Sequence, residues 1–447
     1  MTNRPIIVIG GGLAGCEAAW QLVTRGCQVI IYEMKPVVFS PAHTSPHLAE
    51  LVCSNSLRSN MQENAVGLLK AEMRTLNSLI LEAADRTAVS AGKALAVDRA
   101  HFSLYVEEKL LSQKRLMIIR EEIRELPSDN TVIIATGPLT SDTLARSISA
   151  LTGADYLYFY DAISPIIEGD SIDHTKAFAA SRYGSTDGDY LNCPMDKDEY
   201  ERFWQALIEG EKVPVRPFEE SKFFSGCLPI EILAQSGKQT LAFGPMKPVG
   251  LIDPKTGKQP YAVVQLRRED TDGVLFNMVG FQTKLTWPEQ RRILRMIPGL
   301  QNAEFARYGS IHRNTFIHSP ALLRQTLQMQ TNDNIFFAGQ ITGAEGYVES
   351  SAMGLIAGLS AFYYASGQEM SPPPKTTALG ALLNYIIRTD QKTFQPMNIN
   401  FGLFPPLSQK LPKKQRGQHY AKRALKSLSE WTVEIGMSKP LPQKNTV

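Results

Sequence analysis

The 447-residue chain has few cysteines, little net charge and no long apolar run, and each shortage removes a class of protein. No apolar run reaches the ~18 residues that a membrane-spanning helix requires, so no membrane partner is expected. The five cysteines, Cys16, Cys27, Cys53, Cys193 and Cys227, are odd in number. None of them forms a pair at the close spacing of a zinc knuckle or a redox dithiol. That argues against a disulfide framework and for free thiols in a reducing compartment. No His/Cys/Asp/Glu spacing suggests a metal. Net charge is only +3, too small by itself to mark a polyanionic partner. Residues 1–12 run straight into a strand without a charged leader and cleavage site, and a cytoplasmic protein is expected.

What is present is ordinary globular composition, 43% hydrophobic and 20% charged, in a chain long enough for two or more domains. Residues 4–9 read as a buried strand, 13–24 as a helix and 28–32 as a second strand, a βαβ opening. Val66, Leu69, Met73, Leu76, Ile80 and Ala83 recur at three- and four-residue intervals and predict one amphipathic helix over 64–84. A short buried strand at 131–135 ends in Thr136, Gly137 and Pro138. From 182 to 318 the texture changes, with strand-like stretches at 261–266 and 274–279. Thr286 and Glu289 have capping-box spacing, with Pro288 in the first turn. This stretch reads as an inserted α+β domain between 1–181 and 319–447. Residues 334–338 return to a buried strand, followed by a glycine-rich turn and a small-residue helix over 350–365. The prolines at 372–374 precede a C-terminal helical region. Its Ser408 to Lys426 stretch holds seven Lys/Arg and no acid, a solvated tail or a polyanion contact.

Gly10, Gly12 and Gly15, with Leu13 and Ala14 before the last, fit the dinucleotide fingerprint. The first glycine permits a tight turn, the second lets a pyrophosphate approach the backbone, and the third lets helix and strand pack closely. The following helix offers free N–H groups to the phosphates. Glu33 closes the second strand, where a carboxylate can accept from an adenosine ribose. Gly339, Gln340, Gly343, Glu345, Gly346 and Tyr347 form a strand–turn–helix more than 300 residues later. This resembles the second flavin-contacting motif of glutathione-reductase-like flavoproteins, in which a helix N-terminus stabilises the reduced flavin. With the turn at Thr136 and Gly137, three elements in order predict FAD. The expected fold is a glutathione-reductase-like, doubly wound α/β (Rossmann) FAD-binding domain carrying the insertion. Tyr347 is expected to stack on the isoalloxazine or a pterin, or to pack for its area alone.

Further segments narrow the resemblance. Val52-Cys-Ser-Asn-Ser-Leu-Arg-Ser-Asn60, Ala96-Val-Asp-Arg99, Gln340-Ile-Thr-Gly-Ala-Glu-Gly-Tyr347 and Met397-Asn-Ile-Asn-Phe-Gly402 are similar to motifs of the tRNA-uridine-modifying flavoproteins. Chain length, Phe224-Ser-Gly-Cys227-Leu-Pro-Ile-Glu231 and Gly244-Pro-Met-Lys-Pro-Val-Gly250 resemble the shorter branch. That branch is the folate- and FAD-dependent tRNA (uracil-5-)-methyltransferase, related to the longer wobble-uridine enzyme. The resemblance runs to about Pro406. It implies methylenetetrahydrofolate as one-carbon donor, FAD as reductant, NADPH or NADH as electron source, and ribothymidine in the T-loop of tRNA as product.

The chemistry fits the residue types. Uracil C5 becomes nucleophilic once a thiolate adds at C6, and a base must then remove the C5 proton. The resemblance implies Cys227 as nucleophile and Cys53 as base; one thiolate that adds and leaves, with water as base, also satisfies the scheme. Cys16 and Cys27 read as buried small hydrophobes, and Cys193 is open. Arg58 and Lys222 are the nearest cations in sequence to Cys53 and Cys227. His312, Arg313 and His318 are candidates for pterin or phosphate. For RNA phosphate the candidates are Arg267, Arg268, Arg291, Arg292, Arg295, Arg307 and the basic tail, with the target base flipped into the site. The competing readings are a flavin oxidoreductase acting on a small substrate, the wobble-uridine activity, and a non-catalytic tRNA-binding flavoprotein.

Overall fold

In the computed structural model, residues 4–153, 157–162, 164–182, 188–213, 228–392, 394–409 and 411–437 are described. The βαβ opening forms as read: Ile6–Ile9, helix Leu13–Val23, Val29–Glu33. These strands are buried and β-branched and join an all-parallel five-stranded sheet. Its order is Ile335–Phe337, Val132–Ile134, Ile6–Ile9, Val29–Glu33, Leu116–Arg120. A parallel sheet must be covered on both faces, which explains its nearly continuous apolar runs.

The helix Leu13–Val23 is buried along its whole length, because the 19-residue helix Tyr347–Ala365 lies directly against it. Glycine makes this approach possible. A Cβ on Gly354 would sit 2.2 Å from the Ala14 carbonyl oxygen, and one on Gly358 would sit 2.7 Å from that of Ala18. The small-residue pattern of the late helix is therefore a packing surface, and it fixes the register of the two helices, Gly354 against Ala14 and Gly358 against Ala18.

The single helix expected over 64–84 is two helices, Ala65–Thr75 and Leu79–Arg86. The break has a local cause. Asn77 adopts φ +60°, a conformation that asparagine tolerates, and the Ser78 hydroxyl caps the second helix by accepting from the Leu81 N–H at 3.2 Å. Apolar spacing carried across the turn because both helices bury one common face.

The second unit is an antiparallel six-stranded sheet. Its order is Phe178–Ala180, Tyr190–Met195, Ala262–Arg268, Leu275–Met278, Ile166–Glu168, Phe305–Arg307. The expected boundary at 182 thus falls inside this sheet, since two of its strands precede it. The chain passes between the units along a two-stranded ribbon, Leu157–Ala162 paired with Ile311–Phe316. One face of the sheet buries Cys193, Val264, Leu266 and Met278 against Tyr200, Phe203 and Leu207 of helix Lys197–Glu209 and against Ile293. Truncating one such leucine to alanine would cost about 2–5 kcal/mol. The other face is polar and looks toward the first unit.

Two capping details reverse expectation. Thr286 precedes helix Trp287–Leu294 but no capping box forms there: its hydroxyl makes no cap, its N–H donates to Glu211 O, and the Glu289 carboxylate is held by Arg292 through bonds of 2.9 and 2.6 Å. A full capping box forms instead at Asp196 and Glu199.

Candidate active site

A cavity of about 460 Å³ lies between the carboxyl end of the parallel sheet and the polar face of the second sheet. The fingerprint glycines divide their work as their spacing demands. Gly10 adopts φ +104°, and a Cβ on Gly15 would lie 1.9 Å from the Gly10 carbonyl oxygen. Gly12, the N-cap of helix Leu13–Val23, has open space where its Cβ would be and no side-chain cap. The helix therefore presents unpaired N–H groups and the positive end of its dipole to the cavity, which suits a pyrophosphate. Glu33 is fixed by the backbone N–H groups of Gly11 (2.7 Å) and Lys35 (2.9 Å), with carboxylate lone pairs left for a ribose. Gly10, Gly12, Leu13, Ala14, Glu33, Thr136 and Gly137 all line the cavity, and Gly15 packs behind them.

The late motif closes the other end. Gly343 (φ +86°) and Gly346 (φ +107°) turn the chain into helix Tyr347–Ala365, again without a side-chain cap. Gln340 donates to Glu345 at 2.7 Å. The Met397–Gly402 segment turns out to be part of this same structure. Met397 N–H donates to Gly343 O (3.0 Å), Glu345 N–H to Met397 O (3.1 Å), and the Asn398 amide to Glu345 O (2.6 Å). Gln340, Glu345, Gly346 and Tyr347 line the cavity; Gly339 and Gly343 support it from behind, against Ala14 and Phe394.

The Cys53 loop lies between these two ends. Tyr347 does more than offer a ring: its hydroxyl accepts from the N–H groups of Cys53 (2.7 Å) and Ser54 (3.2 Å) and lies 3.0 Å from the Cys53 sulfur. With two amides on its oxygen, the phenolic O–H is left to donate to sulfur. Burial, reinforced by Cys53, raises the Tyr347 pKa well above the usual value, so the phenol keeps its proton. Asn55 donates to Val97 O and Arg268 O, both at 2.9 Å, which joins the 52–60 and 96–99 motifs. Arg99 donates to the carbonyls of Leu51 (2.9 Å) and Val52 (3.2 Å) and pairs with Glu269.

Several basic residues stand elsewhere than expected. Arg267 is buried and holds the Asn55 carbonyl oxygen (2.9 Å) and the Ser54 hydroxyl (2.7 Å). It is therefore a wall of the cavity and not a surface contact for phosphate. Arg58 pairs with buried Glu349. Arg267 and Arg307 are among the guanidinium groups that act electrostatically on Cys53. Arg291 and Arg292 are exposed, as is Arg268, while Arg295 is engaged with Ala303 O and Glu304. His318 contacts the Gln391 carbonyl at 2.7 Å. His312 and Arg313 belong to the ribbon strand.

Cys227, and Lys222 with it, lie outside the described residues. Cys16 and Cys193 are fully buried, and burial raises both thiols, Cys193 to about 12, as inert thiols require. Cys27 is raised for the same reason. Sequence reading missed Asn277, Gln282, Asn314, Ser164 and Ser54 as cavity residues. One signal was available: Gln265 and Arg267 alternate with Val264 and Leu266, the mark of a strand with one polar face.

The basic tail is an ordered helix, Lys413–Glu434, seated by Tyr420 stacked 4.8 Å from Phe401. Arg423 is used internally, on the carbonyls of Pro405 and Pro406, whereas Lys414, Arg416, His419, Lys422 and Lys426 are exposed. Among the described residues no helix is long and apolar enough to cross a membrane.

The model of the family described as GIDA, glucose inhibited division protein A, matches residues 5–369. A protein of Syntrophus aciditrophicus (strain SB) named methylenetetrahydrofolate–tRNA-(uracil-5-)-methyltransferase TrmFO is 66% identical over 433 residues, 97% of this chain and 98% of that protein. The protein of the same name from Heliobacterium modesticaldum (strain ATCC 51547 / Ice1) is 57% identical over 96% of this chain and 98% of its own length. Among solved structures, Aquifex aeolicus GidA in its form II crystal superposes with a TM-score of 0.70 at 16% identity. The match covers 97% of this chain and 74% of that one. At that identity the last likeness speaks for the fold alone.

Proposed function

Because the chain belongs to the GIDA family and, within it, to the methylenetetrahydrofolate–tRNA-(uracil-5-)-methyltransferases, we propose that its cavity is where folate, flavin and a flipped uridine meet. The enzyme forms 5-methyluridine in tRNA, with methylenetetrahydrofolate as one-carbon donor and FAD as cofactor. The T-loop as the site of methylation and NADPH or NADH as electron source are further parts of the proposal.

One observation carries the reading. Two uncapped helix N-termini, the Glu33 carboxylate and the Cys53–Tyr347 clasp all border one cavity. The residues suit FAD: Gly12 leaves room for the pyrophosphate, and Glu33 for the ribose. Bound FAD, once reduced by the nicotinamide, would supply the hydride that completes the methyl group. The protein supplies the rest. Cys227 adds its sulfur to uracil C6, C5 then forms its bond to the methylene carbon, and once the C5 proton has left, the last bond from that carbon to folate nitrogen breaks, with tetrahydrofolate as the leaving group. Cys53, its thiolate favoured by the Tyr347 O–H and by Arg267 and Arg307, takes the C5 proton. Loss of the Cys227 sulfur from C6 restores the ring. The exposed cations of helix Lys413–Glu434 engage tRNA phosphates next to the site, since Tyr420 ties that helix to the Met397–Gly402 segment. We also assign the insertion to residues 166–307, as the substrate-facing unit.

The test is direct. Holoenzyme, tRNA lacking the modification, methylenetetrahydrofolate and NADPH should yield 5-methyluridine in the digested RNA. No product, with reducible flavin and active folate verified, overturns the assignment. A covalent adduct with 5-fluorouridine tRNA should form with wild type and be absent in Cys227→Ala; an adduct that persists removes Cys227 from the nucleophile role.

A further inference from the structure

The polar face of the second sheet is closely partnered. Gln265 donates to Asn192 at 2.9 Å, and Asn192 donates to the carbonyls of Phe178 (3.2 Å), Ala180 (2.9 Å) and Tyr190 (3.1 Å). Arg267 holds Ser54 and Asn55, and Glu269 pairs with Arg99. Asn277 departs from this pattern. It sits opposite Arg267 on the neighbouring strand, on the same face, and it lines the cavity. It is 3% exposed, and its amide nitrogen has no hydrogen-bond partner. Buried amides are almost always paired, because the desolvation cost of an unpaired one is not returned. The natural place for the missing partner is the cavity.

We propose that Asn277 recognises the ring of a bound substrate, pairing its amide with a lactam edge, a carbonyl beside a ring N–H. A carboxamide carries one acceptor and two donors in a plane, the complement of that edge. A half-turn about Cβ–Cγ presents its ends in either order. Arg267, locked by Ser54 and Asn55, keeps the neighbouring strand in register and ties this wall to the Cys53 loop. Two substrates of the proposed reaction carry such an edge, the pterin of the folate and the uracil of the tRNA. The choice of these two rings rests on the methyltransfer reading; the existence of the subsite does not.

The experiment uses FAD-loaded enzyme and the variants Asn277→Asp and Asn277→Leu, with bound flavin and melting temperature as controls. Tetrahydrofolate binding, followed without turnover by flavin fluorescence, reads the pterin. The rate of adduct formation with 5-fluorouridine tRNA reads the uracil. Losing one paired edge should weaken one of these readouts by roughly tenfold or more and leave the other unchanged, and the affected one identifies the ring. Both unchanged in folded variants overturns the proposal. If the variants lose flavin, the carbonyl is deleted from the ligand instead. Wild type is then tested with a 4-deoxy analogue of tetrahydrofolate and with stem-loop RNA carrying 4-deoxyuridine at the target. Weaker binding of one supports the inference, and full affinity for both sinks it. Because tetrahydrofolate binding needs no methylation, absence of 5-methyluridine from wild type remains a separate failure, that of the reaction.

Discussion

The two walls of the cavity are built on opposite plans. The wall from the parallel sheet is mostly backbone: glycines at 10, 12, 137 and 346 and two uncapped helix ends. The wall from the antiparallel sheet is mostly side chain: Arg267, Asn277 and Gln282 on strands and the turn that follows. Backbone binds phosphate and carbonyl groups common to every dinucleotide, so the first wall is generic. Side chains distinguish one ring from another, so the second carries the discrimination. The difference can be broken at either wall.

The largest effect is expected within the fingerprint itself. In Gly15→Ala the new methyl would lie 1.9 Å from the Gly10 oxygen, and the flavin-free protein should melt roughly 5 °C or more below wild type. Gly12→Ala meets nothing within 4 Å, so the same flavin-free melt should be unchanged or slightly higher. Its FAD affinity should nevertheless fall on the order of a hundredfold, because the methyl occupies the approach of the pyrophosphate. Equal melting losses in the two variants would erase the distinction between a packing glycine and a binding glycine.

The second wall is tested at Arg267. Arg267→Leu leaves the Asn55 oxygen and the Ser54 hydroxyl without their donor and removes a cation from Cys53. Methylation should drop on the order of a hundredfold while bound FAD is retained, since the generic wall is untouched. Loss of flavin would mean the walls are not separable. Tyr347→Phe is milder. It keeps the ring but removes the acceptor for two amides and the donor to sulfur, and turnover should fall roughly tenfold. Removing a donor from a thiolate raises the thiol pKa, so Cys53 alkylation should begin at higher pH than in wild type. An unmoved alkylation profile would return Tyr347 to a packing role.

The same contrast explains what was legible in the sequence. The generic wall is local: a strand, three glycines and Glu33 lie within one βαβ unit, and the spacing alone expresses the steric demands. The late motif was legible for the same reason, although its bond to Met397–Gly402 was not. The Cys53–Tyr347 clasp and the second wall depend instead on partners far apart in the chain. Tyr347 meets Cys53 across 294 residues and Arg267 meets Asn55 across 212, and no periodicity encodes such meetings. Arg267 therefore passed for a surface cation. The helix break at Asn77 and the unformed cap at Thr286 were local, but in each a competing bond decided the outcome.

The smallest effect lies behind the Cys53 loop. Lys70, buried on helix Ala65–Thr75, donates to the carbonyls of Leu57 (2.7 Å) and Arg58 (3.1 Å) and so fixes the strand that follows Cys53. Burial, with Arg74 and Arg58 adding repulsion, lowers its pKa to about 7. The folded chain thus releases this proton more readily than the unfolded chain, for which the ordinary lysine value of about 10.4 applies. Between those limits the unfolded state holds more protons, so this group makes stability rise with pH above about 7 and gives its full penalty below. In Lys70→Met the rise should vanish, seen as a melting temperature a few degrees less pH-dependent between pH 7 and 9.5 than in wild type. An identical pH dependence in the two proteins would mean that the Lys70 ammonium remains charged in the fold, held by the two carbonyls and by Glu349.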